Sequence, residues 1–120
     1  YIPFRAVSRL QPWLFWTGML MVPFVWSDYI DCVRASGTSL LDVLKSRSII
    51  RCVAFHPIHV FLNTASAQHY AAFKTSGLSA KDFRKLNPIS GTGTEDVFDA
   101  FVEAISAAGV NSCRLSELPR

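Results

Sequence analysis

Three histidines and a cysteine that could bind a metal lie close together in this sequence. His56, His59 and His69 fall within an uncharged stretch that begins at Cys52. Imidazole and thiolate groups are good ligands for zinc and for haem iron. The spacing argues against such a site, because Pro57 disturbs the helical geometry that would bring His56 and His59 to one face, and no nearby acid orients the rings. We therefore expect these histidines to be polar residues at a subunit contact or in a headgroup layer.

Other patterns for catalysis are incomplete. Residues 90–94 (SGTGT) resemble a phosphate-binding loop in outline, but the GK[ST] ending is missing, and Glu95 and Asp96 stand where phosphate would lie. No GxSxG sequence or CxxC pair is present. We therefore expect no catalytic, cofactor-binding or metal-binding residue, no cofactor and no enzymatic activity.

The longest apolar segment precedes these residues and carries no charge from Leu10 to Ser27. At about 1.5 Å per residue, a helix of this length measures about 27 Å, close to the ~30 Å hydrocarbon core of a bilayer. Aromatic rings of the kind that prefer the membrane interface flank it: Trp13, Trp16, Trp26 and Tyr29. These observations predict a transmembrane helix from about Leu10 to Trp26.

Residues around this segment suggest its orientation and packing. Arg5 and Arg9 precede it, which by the positive-inside rule places the N-terminus in the cytoplasm or the mitochondrial matrix, with both side chains near lipid headgroups. Pro23 should kink the helix, and Gly18 offers a flat surface where another helix could pack. The segment therefore resembles an anchor that packs against other helices.

The rest of the chain predicts a helical region outside the membrane. We divide the chain into residues 1–35, a stub with the transmembrane helix, and residues 36–120. Short helices are expected at 40–44, after the cap Ser79, and after the cap Thr94, with Gly109 ending the last one. Residues 52–73 are predicted to form a helix or broken helix that packs on protein or lies at the membrane interface, or else a second membrane span. The predicted fold is mainly α, with one N-terminal transmembrane helix followed by several short amphipathic helices.

Residues 11–18 (QPWLFWTG) and 25–29 (VWSDY) resemble the i/j subunit of mitochondrial ATP synthase. That resemblance implies a non-catalytic accessory subunit that stabilises the membrane sector of the synthase in the mitochondrial inner membrane. Its implied partners are other subunits of a large membrane complex and membrane lipids, cardiolipin among them. Although the formal net charge is +3, the basic residues form no dense stripe, so nucleic acid is not expected.

Three alternatives explain the same features. An accessory subunit of respiratory complex I or another respiratory complex would share the anchor and the polar extension. A soluble all-α interaction module would place the tryptophans in its core. A haem- or metal-binding membrane anchor would use His56, His59 and His69.

Overall fold

The structure, a computed structural model, describes residues 12–34, 40, 43 and 52–118. Within them the chain forms four short strands, five α-helices and one short 3₁₀ helix, and Leu40 and Val43 are also helical. In chain order they are β1 (Trp13–Leu14), β2 (Leu20–Met21), β3 (Phe24–Ser27), α1 (Asp28–Arg34), β4 (Cys52–Ala54), α2 (Pro57–Leu62), α3 (Ala67–Ser76), α4 (Ala80–Leu86), α5 (Thr94–Ala107) and the 3₁₀ helix Leu115–Glu117. The predicted division at residue 35 stays a prediction.

The segment predicted to cross a membrane folds as strands. β1 pairs antiparallel with β2, with Trp13 opposite Met21, and the Phe15 N–H donates to the Met19 carbonyl at 2.8 Å. Gly18 closes the turn with a φ of 80°, in the left-handed region that favours glycine. A proline at position 23 also disfavours a continuous helix. The predicted transmembrane helix from Leu10 to Trp26 is therefore wrong.

No helix in the described parts of the chain is long and apolar enough to cross a membrane. This finding also contradicts a second span in residues 52–73, which instead contain β4, α2 and most of α3. The prediction of a mainly α fold with a membrane anchor is wrong for the same reason, and so is that of a soluble all-α module, because β3 and β4 contribute to the core. Uncharged runs of this kind are apolar enough for buried strands as well as for membrane helices.

The parallel pair β3–β4 organises the fold around the site. Phe24 pairs with Cys52 and Ser27 pairs with Ala54, with an irregularity in the register between Phe24 and Trp26. Parallel strands need a long crossover connection, and α1 forms the start of this one. Because the strands run in the same direction, the residues that follow Ser27 and Ala54 emerge at the same edge.

A small apolar core packs beside this pair. Trp26, Leu40 and Val43 are buried, and their partly buried neighbours come from β3, from β4 and the residue after it, and from α5. The Trp26 and Phe55 rings lie 5.0 Å apart between centroids, and Phe55 also packs edge-on against Phe98 at 5.0 Å. Leu40 and Val43 are helical, as predicted for residues 40–44, but the rest of that segment lies outside the described residues. The core fixes β3, β4 and α5 relative to one another.

Two helices in the second half were predicted from their caps. Ser79 caps α4 as expected: its Oγ accepts from the Asp82 N–H at 3.2 Å and donates to Asp82 Oδ2 at 2.6 Å. The last helix is also confirmed, but it is capped at Gly93 instead of Thr94. Thr94 is instead the first residue of the helix, and its hydroxyl donates to the Thr64 carbonyl at 2.9 Å. Gly109 follows the helix with a φ of 59°, which fits the predicted stop.

Candidate functional site

The candidate site lies where β3 and β4 end. Asp28 follows β3 directly as the first residue of α1, and His56 follows β4 two residues after Ala54. Pro57 opens α2 with the backbone angle that a helix start requires, so His56 becomes the extended residue that precedes the helix. In sheets with parallel strands, ligands commonly bind outside the carboxyl ends of the strands. This edge is therefore the place where chemistry is expected.

The Asp28 carboxylate is the centre of the site and is only 1% exposed. Its Oδ1 accepts from the Tyr29 backbone N–H at 2.7 Å and lies 2.6 Å from His56 Nδ1. Its Oδ2 accepts from the His56 backbone N–H at 2.7 Å. A carboxylate can only accept, so the Nδ1 of His56 carries the proton in this pair. Asp28 thus fixes both the backbone and the ring of His56.

His56 presents its other nitrogen away from this contact. Its side chain is 52% exposed, in contrast to the buried carboxylate that holds it. With the proton on Nδ1, Nε2 has a lone pair that can accept a proton. An imidazole oriented by a buried carboxylate in this way is the arrangement that general acid–base catalysis uses.

His59 lies next to this pair and is buried on α2. Burial lowers the pKa of His59, the charge of Asp28 opposes that shift and the neighbouring His56 adds to it. Its Nδ1 lies 3.2 Å from Thr64 Oγ1, and its ring stands 5.7 Å from the His56 ring and 4.4 Å from Tyr70. With a lowered pKa, His59 is neutral at neutral pH. At that pH it therefore carries no positive charge beside His56.

The donor types of this cluster also suit a metal ion. One carboxylate and two imidazoles are among the ligand sets of catalytic zinc. In the described portion of the chain, however, no group of three or more His, Cys, Asp or Glu residues is arranged to hold a metal ion. Asp28 and His56 bond each other, so a metal could bind both only after this contact breaks. As placed, the residues do not fit a metal, and no step is derived through one.

A cleft opens on the other side of Asp28. Its volume is about 380 Å³, and its walls come from β3, from the start of α1, from residues 64–68 and from residues 92–97. Gly93 lies at its edge, where an added Cβ would collide with the Asn63 carbonyl oxygen, so only glycine fits. The Gly93 N–H donates to Asp96 Oδ2 at 2.8 Å, and this bond, with a second one from Asn63, lowers the pKa of Asp96.

The residues singled out from the sequence are spread over this structure. His56 and His59 come together as candidates, whereas the His69 ring packs on Phe83 at 5.4 Å and Cys52 is a free, half-buried thiol in β4. The expectation that no acid orients the histidines is wrong, because Asp28 does so from 28 positions away. The available signal was a polar residue just beyond the end of each of two apolar strands: Asp28 directly after β3 and His56 two residues after β4.

The residues predicted to contact lipid or to pack helices fall in several places. Arg5 and Arg9 lie outside the described residues. Trp13 and Trp16 are exposed on the β1–β2 hairpin, Trp16 at 86%, while Trp26 is buried and Tyr29 stands near His56 and His59. Gly18 and Pro23 lie between strands. Lipid contact, helix packing and membrane-complex partners stay predictions.

Comparisons with known proteins place these residues in a family. A crystal structure described as a polysaccharide deacetylase involved in O-antigen biosynthesis, WbmS from Bordetella bronchiseptica, is 26% identical, with a TM-score of 0.60. The match covers 86% of this chain and 43% of that one, so this chain spans less than half the length of WbmS. No curated protein matches the chain.

The family description "WbmS-like: Polysaccharide deacetylase" matches residues 1–74, a range that includes Asp28, His56 and His59. This match contradicts a subunit of ATP synthase, of complex I or of another respiratory complex. It also contradicts the mitochondrial inner membrane, because the solved relative is a bacterial O-antigen protein. The prediction of a non-enzymatic chain is wrong as well. The chain belongs to the WbmS-like polysaccharide deacetylase family.

Proposed function

We propose that this chain acts in the hydrolytic removal of acetyl groups from a polysaccharide, with Asp28 and His56 as its acid–base pair. The observation that carries the proposal is the 2.6 Å contact between Asp28 and His56 Nδ1 at the shared edge of two parallel strands. The family match and the resemblance to WbmS supply the reaction class.

The geometry suits hydrolysis of an acyl bond. His56 Nε2 takes a proton from a water molecule while the water oxygen attacks the acetyl carbonyl carbon. The imidazolium then returns this proton to the sugar nitrogen or oxygen as its bond to the acetyl carbon breaks. Acetate and the free amine or hydroxyl are the products. Asp28 remains a carboxylate throughout, because its role is to hold the Nδ1 proton and stabilise the imidazolium.

The substrate must approach from the exposed side of His56. The buried carboxylate lies behind the ring, and the neighbouring Tyr29 and His59 rings line its flank at 6.2 and 5.7 Å. Tyr29 is half exposed, which gives the bound acetyl group an aromatic surface beside the reacting centre. His59 stays neutral at neutral pH, because burial lowers its pKa.

Acetate release from acetylated polysaccharides and oligosaccharides tests this proposal. The assay is run with a chelator and again with added Zn²⁺, since the site contains zinc-ligand types. We expect Asp28→Asn and His56→Gln to lose about 100-fold or more of the wild-type rate, the usual contribution of a positioned acid–base group. His69→Gln and Asp99→Asn are the matched controls and should retain activity.

Two results would contradict the proposal. One is that the wild-type protein releases no acetate from any acetylated carbohydrate under either metal condition. The other is that His56→Gln retains the wild-type rate while remaining folded, as judged by circular dichroism.

A further inference from the structure

The β1–β2 hairpin carries large apolar side chains that the described fold leaves open. Trp13 and Met21 lie opposite each other on one face, and both are exposed. Leu14 lies on the other face and is 58% exposed, and Trp16 in the turn is 86% exposed. Because neighbouring residues in a strand point to opposite faces, the hairpin is open on both of them. A contiguous exposed apolar surface of this kind marks a site of interaction.

A hairpin that is open on both faces suits a partner that surrounds it. An isolated two-stranded hairpin is marginally stable at best in water. A second protein surface would cover one face and leave the other in water. Standard protein interfaces also take roughly 20–30 residues from each side, whereas the hairpin comprises only residues 13–21, nine in all. A lipid interface encloses a protrusion on all sides, so the exposure of both faces favours lipid.

The residue types and the length of the hairpin match the interfacial layer of a membrane. Tryptophan rings prefer the level of the headgroups, and the tip offers Trp13 and Trp16 with the Phe15 ring 5.7 Å from that of Trp16. From Trp13 to Trp16 the chain advances about 10 Å, at about 3.3 Å per residue. This length agrees with the ~5–10 Å to which interfacial segments are buried in a membrane.

The backbone of the turn is also prepared to leave water. The Gly18 N–H donates to the Phe15 carbonyl at 2.8 Å, and the Phe15 N–H donates to the Met19 carbonyl at 2.8 Å. A backbone group that already has a hydrogen bond costs less to remove from water than a free one. The hairpin side chains add no charge, because no charged residue occurs from Leu10 to Ser27.

The charges around the hairpin select an anionic lipid surface. Arg5 and Arg9 precede it, and no acidic residue occurs before Asp28, which is buried. Arg9 stands four positions before Trp13, so a chain of at most about 14 Å joins them. Basic residues beside an inserted apolar segment are attracted to anionic headgroups. Two copies of the hairpin would instead bring like charges together, which disfavours a second copy as the partner.

We propose that the β1–β2 hairpin docks this protein on the surface of an anionic lipid membrane. Trp13, Phe15 and Trp16 enter the headgroup boundary, and Arg5 and Arg9 contact lipid phosphates. The hairpin enters one leaflet and does not cross the bilayer. Docking uses neither Asp28 nor His56, so it goes beyond the proposed function and does not depend on it.

Flotation of the full chain with lipid vesicles tests the docking. The vesicles contain phosphatidylcholine alone, or phosphatidylcholine with phosphatidylglycerol as about one third of the lipid. We expect binding to the anionic vesicles to be on the order of tenfold tighter, and added salt to reduce this preference. Arg5→Gln combined with Arg9→Gln should remove it. Brominated lipids placed in the vesicles should quench the hairpin tryptophans.

A matched pair of variants separates the hairpin from apolar exposure in general. Trp16→Ala should weaken binding to anionic vesicles at least about tenfold, because it removes a large ring from the lipid. Leu86→Ala, at a residue on α4 that is 67% exposed, should leave binding unchanged. Both side chains are exposed, so circular dichroism should show that both variants stay folded.

Three results would overturn the docking. One is that the wild-type protein binds neither kind of vesicle. Another is that Trp16→Ala binds as tightly as wild type, or that Leu86→Ala loses as much affinity as Trp16→Ala. The third is a dimer, detected by analytical ultracentrifugation without lipid, that Trp16→Ala dissociates, since a second copy would then cover the hairpin. Acetate release from a soluble acetylated oligosaccharide should be unchanged in Trp16→Ala, so vesicle binding without acetate release overturns only the proposed function.

Discussion

Replacing Asp28 by Asn should destabilise the fold by a predictable amount. The carboxylate accepts from two backbone N–H groups, those of Tyr29 and His56, and from the His56 ring. An amide has one oxygen, and its NH₂ group cannot accept from an N–H. In either orientation of the amide, one backbone N–H therefore loses its acceptor.

The expected cost follows from that single loss. A hydrogen bond to a charged group contributes about 1.5–3 kcal/mol, and a buried donor left unpaired costs a similar amount. We therefore expect Asp28→Asn to lower the free energy of unfolding by about 1.5–3 kcal/mol. This corresponds to roughly a tenfold to hundredfold change in the folding equilibrium constant, because about 1.4 kcal/mol is a factor of ten.

Urea denaturation at pH 7, followed by tryptophan fluorescence, measures this change. Asp99→Asn is the control, since an exposed aspartate away from such features should shift stability by less than about 0.5 kcal/mol. ¹⁵N NMR of the His56 ring gives a second measurement, because an amide NH₂ facing Nδ1 would move the ring proton to Nε2. If Asp28→Asn unfolds within 0.5 kcal/mol of wild type, the assignment of Asp28 as the anchor of His56 is refuted.

Three further predictions concern a titration and two packing contacts. The pKa of His59 in the folded protein lies below its ordinary value of 6.5, because the ring is buried. As the pH falls below 6.5, the unfolded chain therefore binds a proton at His59 before the folded chain does, and the free energy of unfolding should decrease. Urea midpoints between pH 7.5 and 5 measure this, and an unchanged slope in His59→Gln would contradict it. Leu62 is 2% exposed, so Leu62→Ala should lower the free energy of unfolding, measured by urea denaturation, by about 2–5 kcal/mol. Phe61→Ala, at an exposed neighbour, should lower it much less. Gly93→Ala should lower the free energy of unfolding by about 1–3 kcal/mol and lower the thermal midpoint, because its Cβ would collide with the Asn63 carbonyl. An unchanged midpoint would contradict this steric conflict.

Local signals identified the later helices correctly. The cap at Ser79 and the acids in the first turn of α5 act within a few residues, so the sequence pattern alone predicts both helices. The cap of α5 was misplaced by one residue: Thr94 is the first helical residue, and its hydroxyl donates to the carbonyl of Thr64, thirty positions away. Helix boundaries set by distant contacts are beyond what local spacing can show.

The apolar run before Asp28 was misinterpreted for a different reason. Its length and lack of charge fit a membrane helix, but they fit short strands separated by turns equally well. Gly18 in a turn and Pro23 between two strands indicate the second possibility. What decides between them is the pairing of Phe24 with Cys52, which no local pattern contains.

The candidate site was half predictable. His56 and His59 stand out by residue type, but the role of His56 depends on its contact with Asp28. In the sequence, Asp28 was noticed only as the residue that ends the apolar run. Asp28 and His56 are brought together by the parallel pairing of β3 with β4, and parallel pairs join segments that are far apart in sequence. Chemistry assembled at the ends of parallel strands is therefore poorly visible until the strand pairing is known.

The Asp28–His56 contact also reports on strand alignment. A slip of one residue between β3 and β4 would move His56 by about 3.3 Å, further than a hydrogen bond can stretch. The irregularity between Phe24 and Trp26 lies upstream, so the pairing nearest the site, Ser27 with Ala54, stays in register. The same carboxylate therefore orients the imidazole and fixes the alignment of two distant segments. Any sequence change that preserves the contact between Asp28 and His56 must also preserve correct strand pairing.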